Sequence, residues 1–443
     1  MKISVMADLH LNKATYKTVM DRQMSSLSFR SADFMRAFEW AVDECINNVK
    51  PDLVVIAGDE YDTYNPNNEI RGFFSKQLKK LIENDISVRI LIGNHDVCQK
   101  HSSLSDIEEL GLKNIQIISN PKVEIFKNKN KEEIRLLLFP YSLDIERGIR
   151  SSKEEFNLFL DDVKKRNDNN MESLFFGHFP LFGGIMNRYN IGEDDSTLDN
   201  KNTPIETDTT STLTYDKNQH AYKNVNKNDI GINDLDRLGD LNVGYVFLGD
   251  FHEYQFIDTR KCKSWYCGSL EKNSFNEINH VKSFMVYDSS VNIDEKMGCC
   301  KSIPYSNCRP MIDLFGNLKE MKEIFYKIDL SDKKDCIVRL NFSGSKEDLA
   351  EFKVSHDEFK KDIISKTNAI HIYHNICKIT DVNIIETLEK LDNSVKDNNH
   401  TEIADVIEVV KEMIDERISD ETERKEISEL AMEIYKKTIS LEK

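Results

Sequence analysis

The sequence predicts an α/β fold, in which short buried strands alternate with helices. Five short runs of aliphatic or aromatic residues each stop at a Gly or an Asp, as buried strands do when they end in a polar turn. Apolar residues at helical spacing precede the second and third runs. Strand–helix–strand alternation is typical of a sheet covered by helices. The five predicted strands are Ile3–Ala7, Leu53–Ala57, Val88–Ile92, Leu174–Phe176 and Val243–Leu248.

Helices are predicted between these strands. Apolar residues from Phe34 to Cys45, and again from Leu78 to Ile82, recur at intervals of three and four, which places them on one helical face. Further along, Cys336–Phe342 alternates as a strand does, and Leu349–Ile364 has helical spacing. These later elements predict a second, smaller α+β region.

Three domains are predicted from these patterns. Residues 1–295 contain the five strands, and residues 187–229 within them form a polar insert that is predicted to be flexible, with ordering on substrate as the alternative. Residues 296–375 form an α+β cap. Residues 376–443 contain two amphipathic helices, which would pack on this chain or on a partner.

Composition bounds the function. The chain has 443 residues, of which 39% are hydrophobic, and its apolar runs are too short to cross a bilayer. Nine scattered cysteines fit neither a disulfide framework nor a zinc template. The N-terminus lacks a signal-peptide pattern, so a soluble, cytoplasmic protein is expected. The formal net charge of -17 counts against a protein that merely coats DNA.

Each predicted strand is followed by side chains of the kinds that bind metal ions. Polar residues at the carboxyl ends of sheet strands converge on one crevice. Oxygen and imidazole ligands suit manganese, iron, zinc or magnesium. The five sets are Asp8-Leu9-His10, Gly58-Asp59-Glu60-Tyr61-Asp62, Gly93-Asn94-His95-Asp96, Gly177-His178 and Gly249-Asp250-Phe251-His252.

Each set taken alone has a structural explanation. An Asp-x-His triplet arises by chance, and Asn and Asp favour turns. The argument for chemistry is that five sets occur in order, each at a predicted strand end. None of them offers a serine or cysteine nucleophile.

These sets resemble the motifs of the calcineurin-like metallophosphoesterases. Within that family, Asp8–Leu11, Gly58–Asp62 and the segment Tyr266–Glu271 are similar to the SbcD-type nuclease subunits, which include phage recombination endonuclease subunits. The resemblance implies a β-sandwich flanked by helices for residues 1–295, which would be the nuclease domain. It also implies that residues 376–443 bind an ATPase partner.

The resemblance further implies two divalent cations, most often manganese, with magnesium as the alternative. The implied ligands of the first cation are Asp8, His10 and His252, those of the second are Asn94, His178 and Asp250, and Asp59 would bridge both. His95 would be a non-ligand imidazole that stabilises the transition state or protonates the leaving oxygen. Asp62 and Asp96 would orient imidazoles.

One position departs from the family pattern. Asp250 stands where the family has His in a Gly-His-x-His motif. A carboxylate still binds manganese or magnesium, but its extra negative charge should soften the Lewis acidity of the site. An active, retuned site is predicted, and a decayed site is the alternative.

The predicted function, from the resemblance, is that of a metal-dependent DNA exonuclease and endonuclease subunit in DNA end processing and recombination. The resemblance implies that the chain forms a homodimer and acts with an SMC-like coiled-coil ATPase. The chain has no G-x-x-x-x-G-K-[ST] phosphate loop of its own, so if ATP matters to the function a separate subunit must supply the ATPase. It would work in the cytoplasm, or in the host cytoplasm if phage-encoded. The alternatives are a phosphodiesterase of small nucleotides and a catalytically decayed DNA-tethering scaffold.

Overall fold

A computed structural model describes residues 1–13, 20–21, 27–98, 101–109, 111–166, 171–181, 213–216, 221–224, 230–257, 259–294 and 297–379. Most of the predicted insert and both predicted C-terminal helices lie outside these residues. The chain divides into two compact units. The larger comprises Met1–Asp313, Ile328–Arg339 and Lys360–Tyr373, and the smaller includes Leu314–Lys327, Leu340–Phe359 and the chain from His374. The predicted domain boundaries stay predictions.

The larger unit contains a first six-stranded sheet. With strands numbered in chain order, its members are β1 (Lys2–Met6), β2 (Leu53–Ala57), β3 (Ser87–Leu91), β6 (Ile115–Ile118), β15 (Ser283–Asp288) and β16 (Cys300–Pro304). Their order is β16-β15-β1-β2-β3-β6. Strands β1, β2, β3 and β6 are parallel to one another, whereas β15 is antiparallel to β1 and β16 is antiparallel to β15.

A second six-stranded sheet lies in the same unit. Its members are β7 (Lys122–Lys127), β8 (Glu133–Phe139), β9 (Ser173–His178), β12 (Val243–Gly249), β13 (Gln255–Ile257) and β14 (Lys263–Tyr266). Their order is β13-β14-β12-β9-β8-β7. The central four are parallel, and the two edge strands are antiparallel.

The two sheets pack face to face because their strands carry apolar side chains on both faces: one face meets the other sheet, and the opposite face meets the helices. Successive residues of a strand point to opposite sides. On β1, Ile3 and Val5 belong to the cluster between the sheets, whereas Met6 belongs to the cluster under the helices. Phe176 and Phe247 of the second sheet stack at 5.4 Å inside the same inner cluster. This inner layer holds the carboxyl ends of both sets of parallel strands together.

Helices cover the outer faces of the sandwich. On the first sheet lie α1 (Phe29–Glu44) and α2 (Asn68–Glu83), which contribute Phe34, Phe38 and Phe74 to the outer cluster. The second sheet is covered by α5 (Ser152–Lys165) and α6 (Ile232–Gly239). Each first-sheet helix starts at a capped residue, as Ser28 and Asn67 accept the backbone N–H of Ser31 and Ile70.

The remaining elements are short or belong to the later part of the chain. They are α3 (Ser105–Glu109), α4 (Leu143–Glu146), α7 (Leu318–Phe325), α8 (Lys346–Thr367), β4 (Val97–Cys98), β5 (His101–Ser102), β10 (Leu213–Asp216), β11 (Ala221–Asn224), β17 (Met311–Gly316), β18 (Ile337–Gly344) and β19 (His371–Ile379). The last three strands form a sheet of order β17-β18-β19, and β4-β5 and β10-β11 are two-stranded pairs. None of the helices in the described ranges is long and apolar enough to cross a membrane.

The predicted α/β class and its five strands are confirmed. The predicted runs coincide with β1, β2, β3, β9 and β12 to within three residues at either end, and the helices predicted before the second and third strands are α1 and α2. The predicted strand and helix of the later region are β18 and α8.

Candidate metal centre

The carboxyl ends of β1, β2, β3, β9 and β12 meet at one edge of the sandwich. The turns after β1 and β2 are joined by backbone hydrogen bonds, from Asp8 N–H to Gly58 O at 3.0 Å and from His10 N–H to Asp59 O at 3.0 Å. The two sheets are joined there by the His178 Nδ1–Ala57 O contact of 2.8 Å. Polar residues from five separate parts of the chain therefore share one place, as parallel-strand topology requires.

One side of this centre is formed by Asp8, His10 and His252. One ligand-type atom from each lies within 4.8 Å of those of the other two. The His10 and His252 Nε2 atoms are 3.0 Å apart. Two nitrogens that each lie about 2.1 Å from one cation, at a right angle, are about 3 Å apart, so this spacing fits a shared cation. The buried Asp8 Oδ2 has no hydrogen-bond partner in the described part of the chain, which also fits a position beside a cation.

The other side contains His178 and Asn94. Because the Ala57 carbonyl can only accept, His178 Nδ1 must donate to it. His178 Nε2 then lies 2.9 Å from Asn94 Oδ1 and 3.3 Å from Asp59 Oδ1. Three lone-pair donors point at one another here, and a proton or a metal cation between them resolves the clash.

Asp59 lies between the two sides. Its Oδ2 is 3.8 Å from His10 Nε2 and 4.0 Å from His95 Nε2, while its Oδ1 faces His178 and accepts the His95 backbone N–H at 3.0 Å. Asp8, Asp59 and His178 also form a group whose ligand atoms lie within 4.8 Å of one another. A carboxylate with one oxygen toward each side can serve two cations.

Gly58 and Gly93 must be glycines because predicted ligands lie too close to their Cα atoms to leave room for a side chain. Gly58 has φ +90°, and a Cβ on it would lie 2.2 Å from His178 Nδ1. A Cβ on Gly93 would lie 2.1 Å from Asp59 Oδ1. No side chain fits at either position without moving a predicted ligand.

Four predicted ligands themselves have left-handed backbone. This conformation is costly for residues other than glycine and is concentrated at functional sites. The four residues and their φ values are Asp8 at 53°, His10 at 42°, Asp59 at 56° and Asp250 at 100°. The turns thus hold these side chains toward the centre at the expense of backbone strain.

The two central imidazoles differ in charge. Burial lowers the pKa of His10 to about 4, aided by His252 and His95 and opposed by Asp62 and Asp59. Burial also opposes the charged form of His178, but the carboxylates of Asp59, Asp8 and Asp250 outweigh it and raise its pKa to about 10. Without a metal, His178 therefore carries the proton that its acceptor neighbours demand.

The carboxylates of Asp250 and Asp59 also differ in pKa. Burial, with Asp59 and Asp8 nearby, raises the pKa of Asp250 to about 7, although His178 and His252 oppose the rise. Burial works against ionisation of Asp59 too, but His178, His95 and His10 hold its pKa well below the usual range. Three aspartates so close together need compensating positive charge, which divalent cations would provide.

His95 and Asp62 lie at the open side of the centre. The His95 side chain is 42% exposed, and its Nδ1 lies 2.9 Å from the Asp62 carbonyl, so Nδ1 donates and Nε2 faces the centre. The Asp62 carboxylate lies 3.5 Å from His10 Nδ1 and 2.7 Å from Lys13 Nζ. His95 also lies within 4.8 Å of His10 and Asp59 by ligand atoms, so geometry alone permits it as a ligand as well as a free imidazole.

Among the described residues, Asp96 has no contact with an imidazole of the kind that its predicted role of orienting one requires. It is buried, and its carboxylate accepts backbone N–H groups from Asp59 at 2.9 Å, Tyr61 at 3.2 Å and Gly93 at 2.9 Å, with a longer contact to Glu60. It therefore holds the turn after β2 against the turn after β3. Short side chains at turns bind backbone amides readily, and that preference decides its contacts here.

Sequence reasoning missed two residues of this site, Glu277 and Lys282. His252 Nδ1 lies 3.0 Å from Glu277 Oε1, and Lys282 Nζ lies 2.6 Å from Glu277 Oε2. Burial opposes ionisation of Glu277, but Lys282 and His252 hold its pKa well below the usual range. Neither residue follows a strand end, so the only sequence signal was the nearby segment Tyr266–Glu271.

Comparison with known proteins gives the family of the fold. Residues 1–254 match the family model of the calcineurin-like phosphoesterases. A subunit of the nuclease SbcCD from Staphylococcus epidermidis is 24% identical to this chain over 350 residues, which are 75% of each protein. DNA double-strand break repair protein Mre11 of Methanosarcina acetivorans is 23% identical over 394 residues, 86% of this chain and 50% of that protein. The chain thus spans about half the length of the Mre11 protein.

Solved structures are more distant. A protein of Thermus thermophilus is 8% identical, covers 64% of this chain and 92% of its own, and superposes with a TM-score of 0.33. The fold assignment therefore rests on the family match and on the sheet topology.

Proposed function

The chain belongs to the calcineurin-like phosphoesterase family, and from that premise we propose that it is a metal-dependent DNA nuclease subunit. It hydrolyses phosphodiester bonds as an exonuclease and endonuclease in DNA end processing and recombination. It acts in the cytoplasm as a homodimer, together with an SMC-like coiled-coil ATPase.

The observation that carries this proposal is the convergence of ligand atoms from five parts of the chain. The ligand atoms form three overlapping groups, each within 4.8 Å: Asp8, His10 and His252; Asp8, Asp59 and His178; and His10, Asp59 and His95. Overlapping groups of carboxylates and imidazoles suit a pair of divalent cations held close together. Phosphodiester hydrolysis is the reaction class that such pairs serve.

The choice of DNA rests on the relatives. One is named as a nuclease subunit and another as a DNA double-strand break repair protein. Both align with more than the family region of this chain, since they match 75% and 86% of its length. The net charge of -17 favours a partner or bound cations, rather than the chain's own surface, as the source of positive charge for DNA.

The residues divide the work as follows. The cations would be held by Asp8, His10, Asp59, Asn94, His178, Asp250 and His252, and when bound they would supply Lewis-acid charge to the phosphodiester and lower the pKa of water. His95 keeps Nε2 toward the centre while its Nδ1 donates to the Asp62 carbonyl, so in its doubly protonated form the ring would give the Nε2 proton to the leaving oxygen. Asp62 faces His10 and Lys13, and so fixes the open rim.

Manganese is the cation that we propose, because a mixed oxygen and imidazole site suits it and magnesium prefers oxygen alone. The test uses the purified chain with manganese chloride on linear duplex DNA, single-stranded DNA and a chromogenic phosphodiester. We expect DNA fragments with manganese and none with a chelator.

Two other outcomes would contradict the proposal. Turnover of the small ester without DNA cleavage would favour a phosphodiesterase of small nucleotides. Bound manganese with no turnover of any substrate would favour a DNA-tethering scaffold whose chemistry has decayed at Asp250.

A further inference from the structure

The ring of His252 is held from behind by a carboxylate. Its Nδ1 lies 3.0 Å from Glu277 Oε1, and its Nε2 faces His10 at 3.0 Å. A carboxylate only accepts, so Nδ1 is protonated, and Nε2 is the ring nitrogen that can bind a cation at the centre. The Asn273 side-chain nitrogen also lies 3.0 Å from Nδ1. With the amide rotated by 180°, its oxygen, which has no other partner in the described part of the chain, accepts the same Nδ1–H.

Lys282 fixes that carboxylate in place. The side chain is 1% exposed, and its ammonium contacts three acceptors: Glu277 Oε2 at 2.6 Å, Ser269 Oγ at 2.8 Å and the His252 carbonyl at 2.8 Å. An ammonium has three N–H donors, so every one of them is used. A buried charge is tolerated only when it is paired and hydrogen-bonded in this way. Lys282 therefore acts on His252 in two ways: it donates directly to the His252 carbonyl, and it holds Glu277, which accepts from the His252 ring.

The segment Tyr266–Glu271 completes this arrangement. Ser269 accepts from Lys282, and its backbone N–H donates to the His252 carbonyl at 3.1 Å. Gly268 has φ +73°, and a Cβ on it would lie 2.7 Å from Tyr254 N and 3.1 Å from His252 O. The segment therefore packs directly on the loop that carries His252, which gives a physical reason for its place shortly after that loop.

We propose that Glu277 and Lys282 are positioning residues that hold His252 with Nδ1 protonated and Nε2 aimed at the first cation, and that Ser269 holds Lys282. The inference rests on the proposed function, because it assumes that His252 binds a cation. The inference goes beyond the proposed function because it names the three side chains that set the tautomer and direction of the His252 ring. Partners of metal-binding imidazoles typically contribute about 10- to 100-fold in metal affinity.

The first measurement is manganese affinity, taken by calorimetric titration of the full chain with manganese chloride. We expect Glu277→Gln to weaken the tighter binding step about 10-fold, since the ring loses a charged acceptor. Lys282→Met should weaken it similarly, and Ser269→Ala by less. Glu124→Gln is the matched control, because Glu124 pairs with Arg89 at 3.0 Å and is not among the predicted ligands or their described partners.

The second measurement needs no metal. Nitrogen NMR of the histidine-labelled apo chain reports which ring nitrogen is protonated, and the signal lost in His252→Gln identifies His252 among the 11 histidines. We expect Nδ1 to be protonated in the wild type and in Glu124→Gln, and protonation of Nδ1 to be incomplete in Glu277→Gln. A merely structural role for Glu277 would change the melting temperature without changing this signal.

The outcomes separate the two proposals. A wild-type chain that binds no manganese overturns the proposed function. A wild-type chain that binds it, with folded Glu277→Gln and Lys282→Met variants of equal affinity and unchanged tautomer, overturns the positioning role alone. Ser269→Ala removes one contact and no charge, so it keeps the inference testable should the other variants fail to fold.

Discussion

The two imidazoles His178 and His252 face the same centre but are held by different means. His178 donates to the carbonyl of Ala57 at the end of β2, and so its direction is set by the packing of one sheet on the other. His252 donates to Glu277, whose position depends on Lys282 and Ser269. One ring is oriented by the fold itself and the other by replaceable side chains.

This difference indicates which changes the two sides can tolerate. Moving the His178 ring requires moving a strand end, which costs stability as well as activity. The His252 ring can be loosened by substituting one side chain, with the sandwich left intact. Asp250, which we propose as a ligand on the His178 side, would give that side one more carboxylate than the family pattern provides.

Asp59→Asn should break both sides at once. Asp59 faces His10 and His95 with one oxygen and His178 with the other, so losing its charge affects both predicted cations. We expect phosphodiester turnover to fall about 10³-fold or more, equivalent to about 4 kcal/mol in activation free energy. The rate with the chromogenic ester measures this, and a fall of less than about tenfold would argue against a shared carboxylate.

Gly58→Ala should break the His178 side alone. The added Cβ would lie 2.2 Å from His178 Nδ1, on a backbone with φ +90°. We expect a loss of about 1–3 kcal/mol in the free energy of unfolding and of about 100-fold in rate, because the ring must shift. Gly72→Ala is the control, since nothing lies within 4 Å of its Cβ and it is helical; it should stabilise by about 0.5–1 kcal/mol. Equal unfolding free energies for the two variants would refute the packing argument.

Asp96→Asn should loosen the connection between the turns without removing a predicted ligand. One carboxylate oxygen of Asp96 accepts from Asp59 and Gly93, and the other accepts from Tyr61. Asparagine retains only one acceptor oxygen, so it keeps the contacts of one carboxylate oxygen and loses those of the other. We expect about 2 kcal/mol of destabilisation by urea unfolding in the presence of a chelator. The exposed Asp162, paired with Arg166 on α5, gives the control Asp162→Asn, which should change stability by less than about 1 kcal/mol.

Asp250→His makes the two sides more alike and should have the smallest effect. Removing one carboxylate reduces the negative charge around the cations, so we expect retained binding of two manganese ions and a rate increase of less than about tenfold. Metal analysis after desalting and the chromogenic assay measure both. A silent wild type that gains activity with this substitution would instead support the decayed-site alternative.

Most of the larger unit was predictable from local pattern. The strands β1, β2 and β3 are buried, so they read as mainly apolar runs that end before a Gly or Asp, interrupted only by Ser4 in β1 and Arg89 in β3. Their ends meet by topology, which is why the order of residues along the chain was enough to place Asp8, Asp59 and the Asn94 turn at one edge. The stacking of one sheet on the other came from the family resemblance, because alternation within a strand does not state what covers each face.

The supporting residues were not predictable in the same way. Glu277 lies 25 residues after His252, in the 3₁₀ helix Phe275–Glu277, and its contact depends on how the chain between β14 and β15 is placed in space. Asp96 lies in the turn after β3, and whether its carboxylate meets an imidazole or a set of amides depends on distances of a few ångströms. Such contacts follow from the assembled fold, and the sequence alone does not contain them in readable form.

The sandwich has a consequence for the timing of chemistry during synthesis. Asp8, His10, Asp59 and Asn94 follow strands of the first sheet, whereas His178, Asp250 and His252 end or follow strands of the second. A chain still emerging from the ribosome at residue 170 has all the donors of the first group and none of the second. The hydrolysis that we propose would therefore be withheld from nascent and truncated products, because the full set of predicted ligands exists only once translation has supplied both halves.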